Sequence, residues 1–561
     1  MTTCSPFQYT LLPDGSAEIT RYLAPAEQPP CQVTVPAELD GHRVTAIGRR
    51  AFSGYDTLTD VTLPEGVATI CAQAFYNCRF LKRINLPDAL TSIGDEAFCR
   101  CSNLTDLALP QGLRAIRKGA FSFSGLERIA IPEGITEIQA YAFSFALSLK
   151  EVILPGSLTS IGDSAFLLCW HMSAPVLPDG LISIGEEAFR NCERMTCITL
   201  PDSVIEIGNG AFSSCDSLTH FVVSPGNPAL TVVRGALFDK VRRELICCPI
   251  ASPEESFRIP AGARGIRPFA FSGCKNLKNI AIPDSLTAIG ASAFLDCQAL
   301  VDFSISPDHP NLKFVGGMLI DRVKREVICY PIGQKGRHCH VPEGTRTIRD
   351  HAFAECKTLR SVSLPVSLTN IADGAFANCR RLSDITLPEG LTFLGLEAFE
   401  DCRSLKTIRL PDSLTSVASN PFVFCDGLSD IIVSPGHPTL EVVDGLLMNK
   451  VTKTLVCCLT ADPRQHLTLP QGTRSIGRLA FNACKHVTHL TLPDSVTSIG
   501  ELAFSYNDAL TSVAIPASVT DIAEDAFVGS KQLSVTAPHF SFAERWCRRH
   551  NVPCSPPGSG R

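Results

Sequence analysis

Two apolar patterns alternate along the whole chain. The first has period two: in Leu104-x-x-Leu107-x-Leu109 apolar and polar positions alternate, as in a short strand with one buried face. Pro110 closes it, because a residue without an N–H cannot extend a sheet ladder. The second runs Leu90-x-x-Ile93-Gly94-Asp95-Glu96-Ala97-Phe98, where glycine turns the chain and the Ala-Phe stretch suits a short helix or 3-10 turn. The closing prolines recur at Pro64, Pro87, Pro110, Pro132, Pro155, Pro178 and Pro201, every 22 or 23 residues, and return from Pro260 to Pro516. A coil of this length cannot bury both segments alone, whereas a stack of coils can. The pattern predicts an α/β repeat solenoid of about 20 coils, with a parallel concave sheet along one side and short helical or 3-10 turns.

An Ala-Phe pair marks most coils, at Phe52, Phe75, Phe98, Phe121, Phe143, Phe166, Phe189, Phe212 and onward to Phe527. Aromatics at a fixed register predict a structural spine, each ring contributing roughly 1.5–3 kcal/mol on burial, and not a ligand box. Three residues after the Phe stands Cys in most copies, with Tyr55, Ser124, Ala146, Asn507 or Ser530 in others. That variety predicts a small semi-polar filler and not a sulfur ligand. Longer units over 225–260, 307–342 and 435–470 lack the Ala-Phe pair. Their two apolar runs around a polar turn predict three protruding β-hairpin insertions. The tips carry Lys240, Arg242 and Arg243, then Arg322, Lys324 and Arg325, then Lys450 and Lys453, candidate contacts for an anionic partner.

Composition narrows the function. Hydrophobic residues at 45% and charged residues at 19% support a continuous core. The 50 basic and 56 acidic residues leave a net charge of -6, so there is no global basic field and nucleic acid is not an expected partner. No apolar run reaches the length of a membrane-spanning helix, so membrane insertion is not expected. The 25 cysteines are odd in number and contain no CxxC pair, which predicts free, mostly buried thiols. HExxH, GxSxG, GxGxxG and the phosphate-cradling GxxxxGK[ST] are absent, so no catalytic residue, cofactor or metal site is expected. His338-Cys339-His340 is the one His/Cys cluster and lacks a fourth ligand.

These units, of the form LxxIxxxAFxxCxxLxxVxLP, resemble the BspA-type leucine-rich repeat family over nearly the whole chain. The resemblance implies a right-handed leucine-rich repeat stack used for binding, often displayed on bacterial or protist surfaces. It also implies an N-terminal β cap over 1–48, a solenoid over 49–537 and a C-terminal capping helix over 538–554, with Ser541 as N-cap and Asn551 as stop, before a flexible tail over 555–561. Met1-Thr2-Thr3-Cys4-Ser5-Pro6 shows no secretory pattern, which favours the cytoplasm, while the resemblance favours the cell surface.

The outward positions of the Leu-x-x-Leu-x-Leu strands form the candidate concave binding face: Asp60, Arg83, Asp106, Arg128, Glu151, Asp302, Asp384, Arg409 and His489. In the coil around Trp170, Pro175 falls on a buried strand position and predicts a local bulge or gap. The expected function is non-enzymatic binding of a protein or extended polymer by a monomeric solenoid, through this face or the hairpin tips. An adhesin of the same fold is the alternative, and a hydrolase with an unrecognised site a remote third.

Overall fold

The computed structural model describes residues 6–23, 31–550 and 552–557, so Cys4, the expected helix stop Asn551 and residues 558–561 of the expected tail lie outside the described residues. The chain divides into two compact units. The first comprises Met1–Glu254, Ile259–Asn276 and Ala288–Phe294, and the second Glu255–Arg258, Leu277–Thr287 and Leu295–Arg561. Each is built from the same coil.

Most coils contribute two strands, where one was expected. The apolar residues ahead of the glycine form a dipeptide strand: Thr69–Ile70, Ser92–Ile93, Ala115–Ile116, Glu137–Ile138, Ser160–Ile161, Ser183–Ile184 and Glu206–Ile207 pair in parallel, isoleucine on isoleucine. With the N-terminal strands Phe7–Leu11, Ala17–Tyr22, Glu38–Leu39 and His42–Ile47 they make an eleven-stranded sheet. The Leu-x-x-Leu-x-Leu strands form separate, shorter parallel ladders, such as Gln32–Thr34 with Asp60–Thr62 and Arg83–Ile84, and in the second unit His466–Thr468 with His489–Thr491 and Ser512–Ala514.

The expected helical turn at Ala-Phe is replaced by a run of single turns. Among the described residues the only 3-10 segment is Ile332–Gln334 and the only α-helix Phe542–His550. The cause lies in where the N–H groups point. The Ala74 and Tyr76 N–H groups donate back within the coil to the Cys71 and Gln73 carbonyls. Those of Gln73, Phe75 and Asn77 donate at 2.8 Å to Asp95, Ala97 and Cys99 of the next coil. A helix would consume these donors internally and leave the stack without its bonds. The alternation requires left-handed backbone, at Gln73 (φ 58°) and Asn77 (φ 61°) in this coil. A non-glycine residue there costs about 1 kcal/mol, and Gly54, Gly119, Gly210, Gly273, Gly374 and Gly529 occupy the same positions in other coils.

The phenylalanine spine is a column of stacked rings in the first unit. From Phe52 to Phe212 neighbouring centroids lie 5.0–5.7 Å apart. In the second unit Tyr330, Phe353, Phe376, Phe399 and Phe422 form one column, and Phe481, Phe504 and Phe527 another.

The cysteine three residues on is a hydrogen-bond donor. Its thiol points to the carbonyl of the previous coil's Phe: Cys101 to Phe75 at 3.2 Å, Cys192 to Phe166 at 3.3 Å, Cys402 to Phe376 at 3.3 Å. Asn507 makes the same bond to Phe481 and Ser530 to Phe504, while the Tyr55 hydroxyl reaches the Tyr22 carbonyl. The bond is thus kept at Tyr55, Asn507 and Ser530, which the reading as a small semi-polar filler missed, while Ala146 has no donor and the buried Ser124 hydroxyl makes no such bond. Cys192→Ser is therefore expected to cost less than about 1 kcal/mol, and Cys192→Ala about 1–2 kcal/mol, because alanine leaves a small void and takes from the buried Phe166 carbonyl one of its two donors, the Cys169 N–H remaining. Urea unfolding of both variants reads the difference.

The inserts are built into the stack. In the first, Leu230–Val233, Ala236–Asp239 and Glu244–Cys247 are consecutive antiparallel strands, and the third then runs parallel to Gly265–Ile266. Met318–Asp321 with Glu326–Cys329, and Leu446–Asn449 with Thr454–Cys458, repeat the arrangement. In the hairpins expected to protrude, the second and third strands of each insert are largely buried, the first is mostly half-buried, and the tip at 240–243 is exposed. Cys248, Tyr330 and Cys458 take the backbone place of the missing Phe, accepting the thiols of Cys274, Cys356 and Cys484.

A buried side chain clamps the entry to each insert. The Asn227 Oδ1 accepts the N–H groups of Ala229 and Leu230, and its Nδ2 donates to the Pro201 carbonyl. His309 and His437 do the same with their rings: the His437 Nδ1 accepts from Thr439 and Leu440 at 3.2 and 3.0 Å while Nε2 donates to Pro411 at 3.1 Å. The signal was present in Ser-Pro-Gly-Asn227-Pro, Ser-Pro-Asp-His309-Pro and Ser-Pro-Gly-His437-Pro. Burial lowers the His437 pKa below the ordinary imidazole value, so the native state holds the neutral ring. Its contribution is complete above the unfolded-state pKa and is lost as pH falls through the lower, folded one. His437→Asn is expected to keep stability within about 1 kcal/mol at about pH 7.5 and to remove part of the loss at about pH 5. Paired urea melts at the two pH values check this.

Candidate functional site

The outward side chains of the Leu-x-x-Leu-x-Leu ladders neutralise one another along the stack. Parallel in-register pairing puts position i beside its counterpart one coil on, so Arg83 Nε meets Asp60 Oδ1 at 2.6 Å and Arg128 meets Glu151. Lys150 with Glu127 (2.7 Å) and, in the second unit, Lys278 with Glu255 (2.6 Å) continue the pattern beside the ladders. Thr59 and Arg83 lower the Asp60 pKa by hydrogen bonding to its carboxylate. Asp302 accepts from the Asn279 amide at 3.2 Å, and Arg409 lies 3.5 Å from Glu389. His489 stacks on His466 with ring centroids 4.5 Å apart, and its Nδ1 lies 2.9 Å from Thr488 Oγ1. Asp106 and Asp384 are exposed, and Asp106 sits in a stretch without assigned strand. Exposed pairs of this kind are each worth at most about 1 kcal/mol, and they leave little net charge to read a partner.

Beside these pairs stand mostly apolar side chains. The second outward position of each strand holds Ala108, Ala130, Ile153, Val176, Thr199 and Val222 in successive coils of the first unit. Ile153 is 57% exposed, Val176 88% and Val222 42%. The ladder breaks beside them: residues 173–177 carry no strand, Pro175 is buried there, and Glu151–Ile153 pairs only with Arg128–Ala130 while the next assigned strand, Cys197–Leu200, pairs only with His220–Val223. Proline offers no N–H to either neighbour. The break opens a cleft of about 780 Å³ lined by Ala174, Pro175, Val176, Cys197, Thr199 and Ser224 among others. Cys197 is free and half-buried.

The tip cations partly serve their own turns. Lys240 Nζ donates to the Asn227 carbonyl, Arg322 to the His309 carbonyl, and Arg242 reaches Asp239 Oδ2 at 3.3 Å. Arg243, Lys324, Arg325 and Lys453 are exposed and Lys450 is half-buried. His338 and His340 point outward, His338 bonding the Ser361 hydroxyl at 2.7 Å, while Cys339 between them is buried. No group of three or more His, Cys, Asp or Glu is placed to hold a metal ion among the described residues. Nor is any described helix long and apolar enough to cross a membrane.

One surface escaped the sequence reading. Phe123 and Phe145 stack at 4.3 Å on the turn side of the first unit, with Arg100 over Phe123 at 5.3 Å and Lys118 over Tyr141 at 5.5 Å. The signal was the repeated Phe121-Ser122-Phe123 and Phe143-Ser144-Phe145, an aromatic two places beyond the spine residue.

A model of the BspA type leucine-rich repeat region matches residues 38–146, 136–242, 251–314, 334–441 and 458–541. The chain belongs to the BspA-type leucine-rich repeat family. Between the matched stretches of this BspA-type protein lie residues 243–250, 315–333 and 442–457, which hold strands of the three inserts. A leucine-rich cell surface protein from Faecalibacterium prausnitzii A2-165 is 27% identical over 77% of this chain and 94% of its own, with a TM-score of 0.44. A leucine-rich repeat protein from Bacteroides ovatus is 20% identical over 95% and 99%, with a TM-score of 0.40. The pneumococcal vaccine antigen PcpA is 17% identical over 98% and 96%, with a TM-score of 0.31. No curated protein matches the chain.

Proposed function

We propose that this protein is a non-enzymatic binding module, and that the Leu-x-x-Leu-x-Leu face of its first unit, read as the concave side of a right-handed stack, holds a protein partner. The observation that carries the reading is the cleft at the Pro175 break, flanked by exposed Ile153, Val176 and Val222. Contiguous apolar residues rimmed by self-neutralised charge are where desolvation yields affinity, and a partner strand laid along the face covers several coils at once. Membership of the BspA-type leucine-rich repeat family supports it.

A photo-crosslinking residue placed at Val176 is expected to yield a discrete protein adduct in source cells, and one at Val451, 67% exposed on the third insert tip, none. With the captured partner purified, Val176→Arg is expected to weaken binding by at least about tenfold. Equal adducts at both positions, or none at Val176, overturn the assignment.

A further inference from the structure

The C-terminal cap holds a pair of thiols unlike the other cysteines. The helix Phe542–His550 closes one core cluster of the second unit with buried Ala543, Trp546 and Cys547, the Trp546 ring lying 5.4 Å from Phe527. Ser541 Oγ accepts the Glu544 N–H at 3.1 Å at its start. Beyond it the chain turns back, the Val552 N–H donating to the Cys547 carbonyl at 3.0 Å, into the strand Cys554–Ser555, where Cys554 pairs with Val535. That return packs Cys554 against the core cluster that holds Cys547, where the two thiols are near enough to interact. Cys547 is buried and Cys554 half-buried.

Other neighbouring thiols lack an approach. Cys356 contacts Cys379, and Cys484 contacts Cys458, but all four are buried. Cys31, Cys71 and Cys197 are accessible to different degrees, yet none of them is described with a partner thiol. Only the cap combines a facing thiol with a route from solvent among the described residues.

We propose that Cys547 and Cys554 are a modification site, a dithiol that a low-molecular-weight disulfide oxidises to an intrachain disulfide, fastening the capping helix to the last strand. The Cys554 thiolate attacks one sulfur of the small disulfide, forming a mixed disulfide and expelling one small thiolate, which takes up a proton. Cys547 then gives up its proton, attacks the Cys554 sulfur and expels the second small thiolate. Two protein thiols are oxidised and one small disulfide is reduced to two thiols. Burial raises the pKa of both cysteines, so exchange accelerates as pH rises. A fastened cap protects the open end that a solenoid must hide.

The test uses the purified full chain with glutathione disulfide as probe, followed by alkylation and trypsin, which cleaves after Arg548 and Arg549. Expected is a peptide containing Cys547 linked to the peptide beginning at His550, two hydrogen masses lighter than the separate thiols, while Cys192 and Cys402 remain reduced. Cys554→Ser should abolish the link, and Cys547→Ser should leave glutathione attached to Cys554. A wild-type chain that stops at a glutathione adduct on Cys554 with Cys547 still alkylatable overturns the proposal. So does modification of Cys31 and Cys197 with the cap pair left reduced.

Discussion

Phe98→Ala is expected to destabilise the first unit by about 3–5 kcal/mol, read as a fall in the urea midpoint and as faster hydrogen exchange in the flanking coils. Phe98 is fully buried between Phe75 at 5.2 Å and Phe121 at 5.6 Å, each nearly parallel to it. Removing the ring deletes two stacked contacts and leaves a void that cannot close. The Phe98 N–H donates to Ala120 and the Phe75 N–H to Ala97, at 2.8 Å each, so the spacing of the coils is fixed by backbone bonds as well as by the rings. A loss confined to the side chain therefore becomes a cavity. Phe540→Ala, at a residue 87% exposed, is the control and should change stability by less than about 0.5 kcal/mol. A Phe98→Ala cost as small as that would mean the spine is packing filler and that the backbone bonds between coils hold the stack.

The repeat was legible because each coil places the same residue types at the same register, so Phe, Pro and Leu reported their burial many times over. The second ladder was harder to see: Ser92-Ile93 is two residues long, and a dipeptide has no periodicity to read. The helical expectation at Ala-Phe failed for a related reason. Local propensity favoured a turn of helix, but the N–H groups of Phe75 and Asn77 are claimed by the neighbouring coil. The candidate face was legible in position and not in character. Alternation gave the outward residues Asp60, Arg83, Arg128 and Glu151, but only in-register stacking shows that they pair with each other and leave Ile153 and Val176 as the apolar surface. Pro175 was visible as a ladder-breaker, and the cleft beside it is the consequence.

Arg267 is where the first insert is sewn into the stack, and Arg267→Met is expected to cost about 3–5 kcal/mol. In ordinary coils the isoleucine carbonyl of one dipeptide strand accepts the glycine N–H of the next coil, as Ile161 does from Gly185 and Ile184 from Gly208, both at 2.8 Å. Ile207 ends the eleven-stranded sheet, because the insert follows it and no next-coil glycine arrives. The Arg267 guanidinium supplies the missing donor, its Nη1 reaching the Ile207 carbonyl at 2.7 Å across 60 residues of sequence. Its Nη2 and Nε meet Asp239 Oδ2 at 2.8 Å and Glu244 Oε2 at 3.0 Å. Asp239 is 2% exposed and its other oxygen holds the tip through the Val241 and Arg242 N–H groups. Methionine would thus leave a buried carboxylate without its main partner and a ladder carbonyl without a donor. Asn449 caps the third insert's tip through its Oδ1, so Asp239→Asn keeps that bond while removing the charge. The double variant Arg267→Met with Asp239→Asn should therefore recover about 1–2 kcal/mol of the single variant's loss in paired urea melts. Strict additivity of the two single losses would show that the Arg267–Asp239 pair contributes nothing and that the guanidinium acts through the Ile207 carbonyl and Glu244.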